Sequence, residues 1–314
     1  MTEVSSETRF LHSVQMGLGA WQWGDRMVWG YGQTHTEEDI RKAFDISLSL
    51  GVRFIDTAET YGSGFSERLL GKFLKETDQP VLIATKYFPW PWRLAKGFIP
   101  WALKGSLERL GVESVDLYQI HWSSPIMSPE VMMEGMVECI QQGLTRTVGV
   151  SNFGHKKMIR AYTTLARHGI PLASNQVHYS LLSREVEKNG TLARCKELGI
   201  RLIAYSPLEK GLLTGKYSVD NPPPGVRTSQ YAELIKKIDP VIKLLQEIGQ
   251  NHGDKTIAQV ALNWLICKGA LPIPGAKNVA QAEQNAGGAG WRMSDDEVAA
   301  LDTVTDHIRE YSKG

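Results

Sequence analysis

Cysteine is scarce in this chain of 314 residues: Cys139, Cys195 and Cys267 are the only three, with no Cys-x-x-Cys pair. So sparse and odd a set, lying within helical patterns, excludes a disulfide framework and implies reduced thiols in the cytoplasm. None of the eight histidines belongs to a His-Glu-x-x-His motif, so no metal site is expected. An excess of one charge is missing too, since 35 Lys and Arg offset 34 Asp and Glu to leave a formal net charge of +1. No broad basic field therefore argues for nucleic acid or an anionic membrane. No apolar run reaches the roughly 18 residues of a membrane span. The polar opening, Met1 to Arg9, lacks the apolar core of a secretion signal. Without such a signal the sequon Asn189-Gly190-Thr191 reads as a turn or a chance match.

What is present has the balance of a globular protein, 42% apolar and 22% charged. It is arranged as a repeat. Apolar strands are expected over residues 14–19, 52–55, 81–85, 115–120, 147–150, 172–177, 200–205 and 270–273. Helices are expected from Thr36 to Gly51 and over 66–75, 100–110, 129–142, 155–168, 184–198, 257–268 and 278–286, most of them closed by glycine. Eight alternating units imply parallel strands with right-handed crossovers. Their number and spacing predict an α/β fold, a (β/α)8 TIM barrel filling residues 1–314 as one domain. A doubly wound sheet is the competitor, but Gly17-x-Gly19 is followed by Gln22 where its fingerprint needs a third glycine. Two extra helical segments are expected, at 230–250 and 295–310. Pro240 should start a second helix within the first, just after the proline-rich stretch Asn221-Pro222-Pro223-Pro224-Gly225. Ser294 and Glu297 form a capping box for the last one. Long loops at 87–99 and 207–255 complete the plan, and long loops between core elements tend to be functional.

Three of the strands end in an ionisable residue. Phe54-Ile55 leads to Asp56, Val81-Leu82-Ile83-Ala84-Thr85 to Lys86, and Leu117-Tyr118-Gln119-Ile120 to His121. Tyr61 lies five residues beyond Asp56 on a glycine-containing loop. Barrel enzymes place their chemistry at the C-terminal ends of the strands. A phenol, with an ordinary pKa near 10, is protonated at neutral pH and can serve as an acid. A lysine at about 4 Å would stabilise the phenolate by roughly 4 kcal/mol, at an effective dielectric of about 20. That would lower the phenol pKa by up to about 3 units. Asp56 would hold Lys86 charged and aimed, and His121 would bond the oxygen that Tyr61 protonates. A positioned acid of this kind is worth about 10²–10⁴ in rate.

The ordered motifs Phe54-Ile55-Asp56-Thr57-Ala58-x-x-Tyr61-Gly62, Thr85-Lys86 and Asp116-Leu117-Tyr118-Gln119-Ile120-His121 closely resemble the aldo-keto reductases. The resemblance runs from about Met16 to Leu301. It takes in Gly149-Val150-Ser151-Asn152-Phe153, Asn175-Gln176-Val177, Ala204-Tyr205-Ser206-Pro207-Leu208 and Pro272-Ile273-Pro274-Gly275-Ala276-Lys277. It implies a (β/α)8 barrel that transfers hydride directly from a nicotinamide cofactor to a small-molecule carbonyl. Tyr61, Lys86, Asp56 and His121 match the family's catalytic tetrad. The cofactor residues implied are Gly19, Ala20, Trp21, Asp56, Ser151, Asn152, Gln176, Tyr205, Ser206, Pro207, Leu208, Gly211, Leu213, Gly275, Ala276, Lys277, Gln281, Gln284 and Asn285. Better-known mammalian members carry Lys-Ser where Gly275-Ala276 stands, and Arg where Gln281 stands. Lys277 is then the only nearby cation, and it makes NADP (NADPH) the expected cofactor. The Gly-Ala-Lys form is similar to the branch holding bacterial and plant stress reductases and potassium-channel β subunits.

Aromatic residues follow the first, third and fourth strands. Trp23, Trp29, Phe88, Trp90 and Trp122 are the expected pocket walls, with Trp21, Tyr87 and Trp92 beside them. They point to apolar or aromatic carbonyls: aromatic aldehydes, quinones, or ring aldehydes such as pyridoxal. Two rival readings stand beside this one. Gly149-Val150-Ser151-Asn152-Phe153-Gly154 resembles a hydrolase nucleophile elbow, but is one residue too long. A cofactor-binding regulator with slow turnover, similar to the channel subunits, would also keep the tetrad. Monomer and homo-oligomer are left open.

Overall fold

Each strand pairs with its sequence neighbours, and every pairing is parallel, in the order β1 to β8. The strands are β1 Gly17–Gly19, β2 Phe54–Asp56, β3 Leu82–Tyr87, β4 Val115–Ile120, β5 Thr145–Ser151, β6 Leu172–His178, β7 Arg201–Tyr205 and β8 Leu271–Pro272. This computed structural model describes residues 6, 8–26, 29–223, 227–306 and 308. Pro224 and Gly225 of the proline-rich stretch, the 309–310 end of the expected tail helix, and residues 1–5 and 7 of the N-terminal segment lie outside the described residues. The last strand is short partly because Pro272 has no N–H to give to a ladder. A bridge from Gly19 to Gly275, with Gly19 N–H donating to Pro274 O at 3.0 Å, draws β1 to the end of β8 and nearly closes the barrel. Gly19 is required at this seam, because a Cβ there would lie 2.8 Å from the Ile273 carbonyl oxygen.

The helices follow the strands in turn. In α2 (Glu37–Ser49) a capping box joins Thr36 to Asp39, and Ile40, Ala43, Phe44, Ser47 and Leu48 form its buried stripe. The other expected helices appear as α3 (Phe65–Leu74), α4 (Phe98–Leu110), α5 (Pro129–Gln141), α6 (His155–Ala166), α10 (Ile257–Cys267) and α11 (Val279–Ala286). The tail forms α12 (Asp295–Thr305) behind the expected Ser294–Glu297 capping box.

Three expectations are corrected. The helix expected over 184–198 is split into α7 (Glu185–Lys188) and α8 (Thr191–Glu197). Gly190 turns left-handed at φ 78°, and Asn189 Oδ1 accepts from Thr191 N–H. Pro240 starts no new helix, since α9 runs unbroken over Arg227–Asn251. Pro240 lies on the exposed side, where a lost backbone bond can be replaced by water. The buried stripe Ile235, Ile238, Val241, Leu245 and Ile248 passes it on the other side. The third correction is α1 (Arg9–Ser13), which the N-terminal polarity concealed. Its Leu11 packs with Phe54, Ala84, Leu117, Ala173, Ile203, Leu271 and Ile273 into an apolar plug. His12 bonds Gly199 O, and Arg201 donates to Val14 O, so this plug lies where the strands begin.

Candidate active site

One residue-pair step above the plug, the inward side chains become polar. Asp56 ends β2, and Lys86 lies near the end of β3; their side chains are 2% and 0% exposed. Lys86 Nζ donates to Asp56 Oδ2 at 2.5 Å, to Thr57 O at 2.8 Å and to Tyr61 Oη at 3.2 Å. An ammonium's three protons are thus all placed. The other carboxylate oxygen, Asp56 Oδ1, accepts from Gln176 Nε2 at 2.7 Å and from Gln119 Nε2 at 3.4 Å. Gln119 in turn accepts from Ser174 Oγ at 3.2 Å. Gly149 makes room for this layer, since a Cβ there would collide with Ser174 Oγ. A buried ion pair persists only when its remaining lone pairs are satisfied, and here they are.

His121 follows β4 and meets the Tyr61 ring edge-on at 5.8 Å. Thr60 Oγ1 lies 3.4 Å from its Nδ1, and its backbone oxygen accepts from Asn152 Nδ2. Burial, and then the Lys86 charge, hold its imidazole down at about 3, so it is neutral at physiological pH. Burial raises the Tyr61 phenol above its usual value. Lys86 opposes that shift and Asp56 adds to it. The expected net lowering by Lys86 is therefore corrected: desolvation outweighs the cation, and the phenol is held protonated. Lys86 is pulled down by burial but carried above its usual value by Asp56 and Tyr61, so it stays charged.

A cleft of about 1000 Å³ opens above this cluster, at the top of the range for ligand pockets. Of the residues assigned to a cofactor, Gly19, Trp21, Asp56, Ser151, Asn152, Gln176, Tyr205, Ser206, Pro207, Leu208, Gly211, Gly275, Lys277, Gln281, Gln284 and Asn285 line it. Ala20, Leu213 and Ala276 are buried and do not. Lys277 is not the only cation present, because the cleft also takes in Arg26, Lys210 and Lys216. These three come from the loops after β1 and β7, far from Lys277 in sequence, which is why motif reading missed them. Lys277 itself donates to Trp29 O at 2.9 Å and lies over the Trp29 ring.

The aromatic set divides. Trp29 and Trp122 line the cleft, as does Trp21, 6.3 Å from the Tyr61 ring. Trp23 is no pocket wall: it is 0% exposed and packs edge-on against Phe44 and Phe73 in the outer core. Tyr87 is also core, beneath Arg93. Phe88, expected as a pocket wall, meets His121 edge-on at 5.8 Å but does not line the cleft. Trp90, tilted against Phe88 and stacked on Trp92, does not line it either. Glu59 ties this aromatic loop to the Tyr61 loop, accepting from Phe88 N–H at 2.7 Å and from Arg93. Gln119, Ser174, Thr60 and Glu59 were missed as supports. For Gln119 a signal existed, as a polar residue two places before His121 in the alternation that carries Leu117.

Over residues 15–306 the sequence matches the Aldo/keto reductase family. The chain belongs to that family. It is an oxidoreductase of the aldo-keto reductase kind. Among its relatives is a chloroplastic pyridoxal reductase of Arabidopsis thaliana, 42% identical over 300 residues, or 91% of this chain and 82% of that one. The glycerol dehydrogenase of Gluconobacter oxydans shares its structure with a TM-score of 0.78, at 26% identity over 94% of this chain and 92% of that one. An aldo/keto reductase of Klebsiella pneumoniae, solved with NADP and acetate, has a TM-score of 0.72, at 27% identity over 92% of this chain and 90% of that one.

The reductase's own residues fit a phosphorylated dinucleotide. Gln22 Oε1 and Trp29 Nε1 belong to cleft residues and are buried without a hydrogen-bond partner among the described residues. A cleft that carries four cations and orphaned polar atoms suits a polar, anionic ligand. Among the described residues no group of three or more His, Cys, Asp or Glu could hold a metal ion, and no helix is long and apolar enough to cross a membrane.

Proposed function

We propose that this aldo-keto reductase uses NADPH to reduce aromatic and other apolar aldehydes and ketones to alcohols, with Tyr61 as the general acid. The observation that carries the proposal is the buried relay Asp56–Lys86–Tyr61, with neutral His121 beside it at the floor of the cleft. NADPH, when bound, supplies the hydride. Gln176 already gives its amide hydrogen to Asp56, which leaves its oxygen to accept from a carboxamide. Ser151 accepts from Asn152 and keeps its own proton to donate. Tyr205 presents a flat ring for the nicotinamide. Tyr61 passes its proton to the carbonyl oxygen, and Lys86, held charged by Asp56, stabilises the phenolate left behind. His121 orients the same oxygen by a hydrogen bond.

Trp21, Trp29 and Trp122 form an aromatic mouth above the acid, which favours flat ring aldehydes, pyridoxal among them. The relationship to a pyridoxal reductase supports that class. The three cysteines are free, which fits a reducing cytoplasm.

The test is a fluorescence titration with NADPH and NADH, since cleft tryptophans would report binding. The expected result is tight NADPH and weak NADH. Lys277→Met should weaken NADPH by about tenfold to a hundredfold, the worth of a charged hydrogen bond, and leave NADH unchanged. Binding of neither nucleotide would break the proposal. A flat activity profile across short aliphatic and aromatic aldehydes would overturn the substrate class.

A further inference from the structure

The ring offered to the nicotinamide is itself stacked on a second ring. His178 ends β6 and Tyr205 ends β7, and the parallel register pairs them directly. Their side chains therefore leave the same face of neighbouring strands. The two rings lie 5.4 Å apart and 8° from parallel. On its far side Tyr205 Oη donates to Asn152 Oδ1 at 3.0 Å. The ring is thus held at its tip and along one face.

His178 is held in turn. Its Nε2 lies 2.7 Å from Glu209 Oε1, which also accepts from Ser180 Oγ at 2.6 Å, and Ser183 Oγ lies 3.3 Å from its Nδ1. Glu209 belongs to the loop after β7 that brings Lys210, Gly211, Thr214 and Lys216 to the cleft. That loop is unusual in its backbone. Ser206, Glu209 and Lys210 all take left-handed φ angles, of 51°, 46° and 52°, without being glycine. Conformations of this kind persist only where surrounding contacts over-determine them. The bonds from Glu209 to His178 and Ser180 are such contacts.

We propose that His178 and Glu209 are positioning residues for the cofactor. His178 sets the height of the Tyr205 platform, and Glu209 locks that platform to the cationic loop on the phosphate side. The inference rests on reading the cleft as a nicotinamide dinucleotide site. In this arrangement the two ends of the cofactor are fixed relative to one another by one short chain, Tyr205–His178–Glu209.

The experiment measures NADPH dissociation constants by fluorescence, together with kcat and KM for an aromatic aldehyde. The variants are His178→Ala, His178→Phe, Glu209→Ala and the double variant His178→Ala/Glu209→Ala. His178→Ala should raise the NADPH dissociation constant roughly threefold to tenfold, the range of aromatic ring contacts. It should lower kcat and leave the aldehyde KM unchanged. His178→Phe keeps the ring face and should recover most of the affinity. Glu209→Ala should weaken NADPH by releasing His178 and the cationic loop. The double variant should lose little more than either single one, as expected of one coupled unit. A merely structural role would lower the melting temperature while the remaining folded protein bound NADPH normally, and that result would overturn the proposal. So would His178→Phe binding no better than His178→Ala. Wild-type protein that bound no NADPH would overturn the cofactor reading along with the pair.

Discussion

The two ends of the barrel are made by the same strands and do opposite things. In β2, Phe54 and Asp56 stand two residues apart on one face. In β3 the pair is Ala84 and Lys86, in β4 Leu117 and Gln119, and in β7 Ile203 and Tyr205. A step of two residues, about 6.6 Å along a strand, turns an apolar plug into a polar floor. Below, Leu11 and the inward strand residues remove apolar surface from water and have no chemistry to offer. Above, a buried ion pair costs desolvation and returns it only through full hydrogen bonding. Stability and reactivity are therefore divided along the barrel axis, and substitutions at the two ends should separate them.

The largest effect is expected from Lys86→Met, which should do both kinds of damage. It leaves the Asp56 carboxylate buried with two amide donors and no cation. Such a loss costs about 3–5 kcal/mol, and carbonyl reduction should vanish with it. Chemical denaturation and steady-state kinetics on the same preparation would check both. A variant as stable as wild type would mean that Lys86 does not offset the cost of burying the Asp56 carboxylate. Next comes the opposite end: Leu11→Ala should cost about 2–5 kcal/mol, as for other buried leucines, while kcat stays within twofold or so. A large fall in kcat would show that the two ends are coupled.

The smallest effect is on pH dependence. The folded protein keeps His121 at about 3, against 6.5 for the free side chain. The unfolded chain therefore takes up this proton first as pH falls. The stability this His contributes by remaining neutral is complete above 6.5 and drains away between 6.5 and 3. Urea midpoints at pH 8 and pH 5 should fall further for wild type than for His121→Gln. Equal falls would remove His121 from the account.

Much of this plan was legible in the sequence because it depends on local pattern. Glycine-closed helices and apolar strands ending in Asp56, Lys86 and His121 disclose a barrel with a reactive rim. What was not legible depends on side-chain direction and long-range neighbours. Trp23 and Trp29 follow the same strand, yet one enters the core beside Phe44 and the other lines the cleft. A loop has no period from which to read that difference. Arg26, Lys210 and Lys216 reach the cleft only because distant loops converge on it. The upward shift of Tyr61 could not be read from its charged neighbours, because desolvation depends on packing that forms only in the folded chain. Pro240 misled for a related reason: whether proline ends a helix depends on which side faces water.

The central claim is that the polar end of the barrel is a proton relay that finishes at Tyr61, and Tyr61→Phe tests it most directly. The ring and its neighbours remain while only the phenol oxygen leaves. NADPH affinity and reduction of an aromatic aldehyde should be measured together. The account predicts NADPH binding close to wild type and a fall in kcat of about 10²-fold or more, the usual worth of a positioned acid. Turnover that survived the loss of the hydroxyl would contradict it.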